Sequence, residues 1–386
     1  MTTGPATRLN RRALIAVCCL AGLAVVLATV GSSAVAAPVP IGPDVTVFTF
    51  NGVNSYGSDG SFAGYSIGTT SCNRGDTPLN WCTTGASCAP GAVSKNHPVI
   101  AQNLYRLKDG RFQQVGMSWL KHGFLSTNTP FSGCSGASGQ ACQSPPAGGS
   151  QLGIGCSDAY SANLNGNRST RPLGRRSEVN GTTGDFPFPN SSPSASNFYD
   201  QRIKVAVADV DPAQNAGATY WAEGQYIASD DAASGNSFNN ASHRQVTVTN
   251  NANFSLTLAG TFFEQLPAIF AWPAHDIGVI LVNVDVPGPL VERFYVGRKV
   301  TDLGKGLWHY EYAVHNLNSD RSARALSIEF PVATAFTNAG FKGIAHHSGE
   351  PYATDDWAVS STANALSWST ADFATDPNAH ALRFST

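Results

Sequence analysis

The stretch HPVIAQNLYRLKDGRFQQVGMSWLKHGF, residues His97 to Phe124, places two alternating apolar runs on either side of Asp109-Gly110. Such a pair between such runs is a strong hairpin signal, because a type I′ turn needs positive φ at both central residues. With a two-residue loop, facing positions add to 219, so Leu107 meets Phe112, Leu104 meets Val115, Ile100 meets Trp119 and Val99 meets Leu120. His97 then falls opposite His122. A three-residue loop with Gly110 left-handed shifts the total to 218 and keeps only Pro98–Leu120, Val99–Trp119 and Ala101–Met117 apolar. Cross-strand pairs contribute roughly 0.2–1 kcal/mol each, which favours the first register modestly and leaves the second open.

Outward from this hairpin the chain reads as strands. DVTVFTF (44–50) precedes it, and from residue 201 come QRIKVAVADV, ATYWAEGQYIA, HRQVTVTN, NFSLTLAG, DIGVILVNVDV, ERFYVGRKVTDL, LWHYEYAVHNL and ALSIEFPVATAF, many of them bounded by Asn, Asp or Gly. In WHYEYAV, Trp308, Tyr310, Tyr312 and Val314 share one face, the period of a strand with one buried side. The closing HALRFST reads as the start of a strand. Without a long amphipathic helix, the expectation is all-β: a disulfide-braced, loop-rich N-terminal β region over 37–200, then a β-sandwich over 201–386. FPFPNSSPSAS (186–196) is the expected linker.

Residues 1–36 read as an export signal, with Arg8, Arg11 and Arg12 ahead of the apolar run 13–30 and a small-residue cleavage site ending at Ala36. The paired arginines fit the twin-arginine route or the general one, and the apolar run also reaches the lower limit for a retained anchor. Three of the 24 basic residues and none of the 26 acidic ones lie in this segment, so the remainder carries a formal charge of −5. No Lys/Arg run occurs. That argues against nucleic acid and, after cleavage, against stable membrane association. With 13% charged residues, 38 Gly and 22 Pro, the composition suits a secreted, turn-rich β protein.

Cys72, Cys82, Cys88, Cys134, Cys142 and Cys156 remain after cleavage, an even number with no CxxC pair. Export makes disulfides the natural reading. Local loops Cys82–Cys88 and Cys134–Cys142, closed by Cys72–Cys156, are the expected pattern among the fifteen possible.

Two imidazoles facing across a hairpin could share one transition metal, copper or zinc, with Asp158 of GIGCSDAY as third ligand. AHHSGEPY offers a second cluster of His346, His347 and Glu350. GYSIG matches a nucleophile-elbow pattern at Ser66, but TTSCNRGDTP after it cannot form the required helix. Asp209, Asp211, Asp230 and Asp231 sit in oxygen-rich loops whose spacing fits no EF-hand; turn capping is their simpler role.

The phrases YGSDG, GTTSCN, SWLKHGF, LGIGCSDAYSANLNG, WHYEYAVHNLNSDR and HHSGEPY together resemble a family of large exported bacterial β-rich proteins. The resemblance covers most of the chain after the signal and implies secretion and a two-part β architecture. It supplies no catalytic residue. Against that pattern WCTTGASC (81–88) looks like an insertion, in keeping with a Cys82–Cys88 staple. Two functions follow as expectations. One is a secreted, non-catalytic protein binding a polysaccharide or cell-surface polymer through exposed aromatics such as Phe186, Phe188, Phe198, Tyr199 or Trp357. The alternative is a secreted copper or zinc enzyme built on His97 and His122.

Overall fold

The computed structural model describes residues 41–82, 96–169, 173–250, 252–330 and 334–386. Its strands in chain order are β1 (Val45–Ser58), β2 (Phe62–Asn73), β3 (Leu79–Asn80), β4 (Val99–Lys108), β5 (Arg111–Met117), β6 (Lys121–His122), β7 (Gln151–Leu152), β8 (Ser157–Tyr160) and β9 (Ile203–Ala206). There follow β10 (Thr219–Ile227), β11 (Ala241–Val248), β12 (Leu256–Phe263), β13 (Val279–Val286), β14 (Glu292–Gly304), β15 (Leu307–Asn316), β16 (Ala325–Glu329), β17 (Ala358–Ser361) and β18 (Ala365–Ser369). Among the described residues the helices are short, of at most five residues each. The all-β expectation holds.

The hairpin forms as its turn chemistry dictates. Asp109 and Gly110 have φ of 52° and 80°, and Lys108 faces Arg111, Leu107 faces Phe112 and Tyr105 faces Gln114, the two-residue-loop register. Beyond that the alignment slips. A bulge at Val115 puts Leu104 opposite Gly116, and a second slip across Ser118–Leu120 puts Ile100 opposite Lys121 and Val99 opposite His122. The expected partners Val115, Trp119 and Leu120 are displaced by one or two residues. A bulge is how a long antiparallel pair takes up extra twist.

The hairpin lies inside a ten-stranded antiparallel sheet of order β1-β2-β9-β5-β4-β10-β11-β12, with β6 added to β4 and β8 to β2. Its two edges approach one another: Phe50 and Phe262 stack edge to face at 5.1 Å, and Thr46 Oγ1 donates to Glu264 at 3.0 Å. Curled this way, the sheet encloses Val47, Tyr65, Ile67, Ile100, Leu104, Val205 and Tyr226, all fully buried. Because β9–β12 interleave with β1, β2, β4 and β5, no domain boundary falls at residue 200, and Val39–Thr386 form one compact unit. The cysteine-rich composition before residue 157 reflects braced loops on this sheet, not a separate domain. The expected linker is packed too: Phe186 is buried beside Val99 and Ala101.

Two smaller sheets complete the fold, β13-β14-β15 and β16-β18-β17, with β3 and β7 as a short pair. The first sits on the outer face of the large sheet, where Tyr105, Phe112, Trp221 and Trp272 meet Leu281 and Ala313. Gly297 allows the contact, since a Cβ there would come within 2.9 Å of the Trp272 ring. Arg111 of β5 locks the two sheets through a bidentate pair with Glu311 of β15, at 2.8 and 2.9 Å. The closing residues bury Phe384 and bridge Leu382 to Ala323, so HALRFST is not a strand.

The disulfides correct two expected pairings: the bonds are Cys72–Cys134 and Cys142–Cys156, not Cys72–Cys156 and Cys134–Cys142. The pleat explains this. On β2 and β8, Cys72 faces Ser157, so the adjacent Cys156 points to the other side of the pair and meets Cys142 instead. Cys82 is disulfide-bonded as well. The expected Cys82–Cys88 pairing and the export signal lie outside the described residues.

Candidate functional site

The two histidines meet, although not as backbone partners. His97 Nε2 lies 2.9 Å from His122 Nδ1, with ring centroids 5.2 Å apart at 64°. His97 Nδ1 lies 2.9 Å from the Cys82 carbonyl oxygen, which only accepts, so that nitrogen carries a proton. With neutral rings, His97 Nε2 then accepts from His122 Nδ1–H. Phe186 and Phe188 close over the pair at centroid distances between 4.9 and 6.0 Å. Burial, then the neighbouring His97 and Lys121, push the His122 pKa down to about 3. This is a buried, hydrogen-bonded pair inside an aromatic box, with His122 held neutral.

The expected third ligand is elsewhere. Asp158 on β8 accepts from the Thr127 amide and hydroxyl, each at 2.8 Å. Nor do the residues of the second cluster converge. His347 Nε2 donates to the Met117 carbonyl at 2.8 Å, His346 packs between Tyr352 and His380, and Glu350 accepts the Arg176 and Ser177 amides. Burial drives His346 to about 3 and His347 to about 4. Among the described residues no three His, Cys, Asp or Glu side chains are grouped to hold a metal. Asp158 therefore does not join His97 and His122, whose facing nitrogens are spent on each other, and His346, His347 and Glu350 do not gather around one point, although Asp158 Oδ2 and His346 Nδ1 are buried without a hydrogen-bond partner.

Ser66 is a buried residue of β2 whose hydroxyl donates to the Ala162 carbonyl at 2.6 Å, which rules out a nucleophile elbow. Asp230 and Asp231 accept the amides of Asn80 and Val45, bracing loops as their turn chemistry suggests. The aromatics expected at the surface mostly belong to the core: Phe186, Tyr199 and Trp357 are buried.

Exposed aromatics lie singly at Phe131, Phe263 and Phe373, and together on β15. Trp308, Tyr310, Tyr312 and Val314 do share one face, but it is the outer one, with Trp308 52% and Tyr310 39% exposed. On the other face Glu311 is held by Arg111 and His315 is buried, while His309 toward the strand start stays exposed. Tyr310 and Tyr312 lie side by side with centroids 6.5 Å apart and planes within 3° of each other. Phe330 supports Tyr310 edge-on at 5.7 Å. Ladder pairing extends this face across the sheet: Val300 faces Tyr310, Val296 faces Val314, and Ile280, Val282 and Val284 on β13 continue it, 52%, 50% and 45% exposed. A contiguous apolar face of this kind marks an interaction surface more often than chance. Period-two spacing reveals which residues share it; which side is solvated depends on the ion pair to β5.

Comparison with family models, curated proteins and solved structures finds no match to this chain. No helix among the described residues is long and apolar enough to cross a membrane.

Proposed function

We propose that the protein is secreted and binds an extracellular polysaccharide or cell-surface polymer, without catalysis, through the outer face of β13-β14-β15. The observation that carries this is the run Trp308, Tyr310 and Tyr312 along one face of β15, with Trp308 and Tyr310 exposed, Tyr312 half-buried and the two tyrosine rings parallel. Sugar rings present flat C–H faces, and aromatic side chains gathered on one face shield them from water while leaving hydroxyls solvated. A row spaced along one strand suits successive residues of an extended chain. Disulfides persist in oxidising compartments, which supports secretion.

Covering one such ring removes on the order of 50 Å² of apolar surface from water, about 1 kcal/mol. Replacing Trp308, Tyr310 and Tyr312 together by Ala should therefore weaken binding about 100-fold. The test is retention on insoluble cellulose, chitin, peptidoglycan and cross-linked polygalacturonate, with thermal melts to show that the variant folds. No retention on any of them, or equal retention by the triple variant, would overturn the reading.

A further inference from the structure

We infer that the bound polymer is acidic, carrying carboxylates that Arg298 reads; this rests on the polymer-binding face proposed above. Arg298 lies on β14 directly between Ile280 of β13 and Tyr312 of β15, on the outer side. It is exposed, and its flanking residues on that face are Val296 and Val300. Every other cation of β14 turns to the opposite side and is engaged. Arg293 binds Asp285 through two nitrogens, at 2.7 and 2.8 Å, and Lys299 is held by Asp276. Arg298 has no hydrogen bond or ion pair among the described residues, a different situation from its neighbours.

An unpaired guanidinium in the middle of an apolar sheet face disrupts a purely hydrophobic partner, because covering it would bury an uncompensated charge. It suits a ligand that brings its own anion. Arg presents a planar fork of donors matched to a carboxylate. Neighbouring strands are ~4.8 Å apart, so a sugar ring stacked on Tyr312 puts a carboxylate at its edge within reach of Arg298. Of the two acids that alternation puts on this face of β14, Glu292 is buried and paired with Arg321, and Asp302 is opposite Trp308, four residues along the strand from Arg298 and thus ~13 Å away. That end is left to hydroxyls. The face therefore grades from a cationic end at Tyr312 to an acidic end at Trp308. This polarity fixes the direction in which a chain of uronate-type sugars would lie.

The experiment compares polygalacturonate with its methyl ester, which keeps the backbone and removes the charge, using affinity electrophoresis of wild type, Arg298→Gln and the Trp308/Tyr310/Tyr312 triple Ala variant. The expected result is tighter binding to the acid than to the ester, and about a five-fold loss on the acid for Arg298→Gln with no change on the ester. The wild-type preference should also shrink at high salt. Equal binding of acid and ester, or an Arg298→Gln variant indistinguishable on the acid, overturns the charge assignment. If the triple variant still loses binding to both, the polymer reading survives that outcome. Absence of binding to these polymers and to cellulose, chitin and peptidoglycan would remove both.

Discussion

Acidification from pH 7 to pH 5 should destabilise the protein through His122, and His122→Phe should remove that part of the loss. In the unfolded chain His122 takes up a proton near its ordinary value of 6.5, whereas burial beside His97 delays this to about 3 in the fold. Between those values the unfolded state holds more protons, so stability falls as pH falls. The loss from pH 7 to pH 5 comes to about 2 kcal/mol for this one residue. His346 and His347, driven down to about 3 and about 4, act in the same direction. Asp44 opposes them: burial raises it to about 6, so its protonated form favours the fold as pH drops between 6 and 3.8. The difference between wild type and His122→Phe isolates the histidine. The variant loses the hydrogen bond to His97, a constant offset of roughly 1–3 kcal/mol, but its pH slope should be shallower by about 1 kcal/mol per unit over this range. Urea unfolding at pH 7, 6 and 5 without reductant measures both quantities. Parallel pH profiles for the two proteins would refute the buried, neutral state of His122 and reopen it as a solvated or ligating group.

Non-reducing peptide mapping should recover Cys72 joined to Cys134 and Cys142 joined to Cys156; a Cys72–Cys156 peptide would contradict the strand pleat described above. Removing the Cys72–Cys134 bridge, which spans 62 residues, by a double Ala substitution should cost about 4 kcal/mol in unfolding measurements, and a loss under 1 kcal/mol would count against it. Gly297→Ala should cost about 1–3 kcal/mol, read as a lower Tm, because the new methyl meets the rigid Trp272 ring at 2.9 Å. An unchanged Tm would mean that β14 is not seated on Trp272.

Local chemistry was legible; long-range consequences were not. Asp109-Gly110 announced its turn, whereas His97 and His122 meet only through their rings, because two slips move His122 opposite Val99. The bulge at Val115 was not placed by the sequence, because the slip it makes follows from β9 lying alongside β5 at Gly116 and Met117. Likewise the alternation of WHYEYAV revealed two faces, yet their sides are set by Arg111, some 200 residues away, which holds Glu311 inward. Cysteine order suggested nested loops, while the alternation of β8 against β2 assigned Cys156 to Cys142. The apparent boundary near residue 200 came from loop composition. Strand pairing between β9 and both β2 and β5 shows the halves to be one sheet.

Hydroxyl-radical footprinting with and without soluble polygalacturonate probes the binding face most directly, since it reports the solvent access of individual rings. The account predicts that polymer lowers oxidation of Trp308, Tyr310 and Tyr312, whereas the buried Trp357 and Phe186 react little in either state. Undiminished oxidation of the β15 rings, while other surface residues become protected, would contradict it.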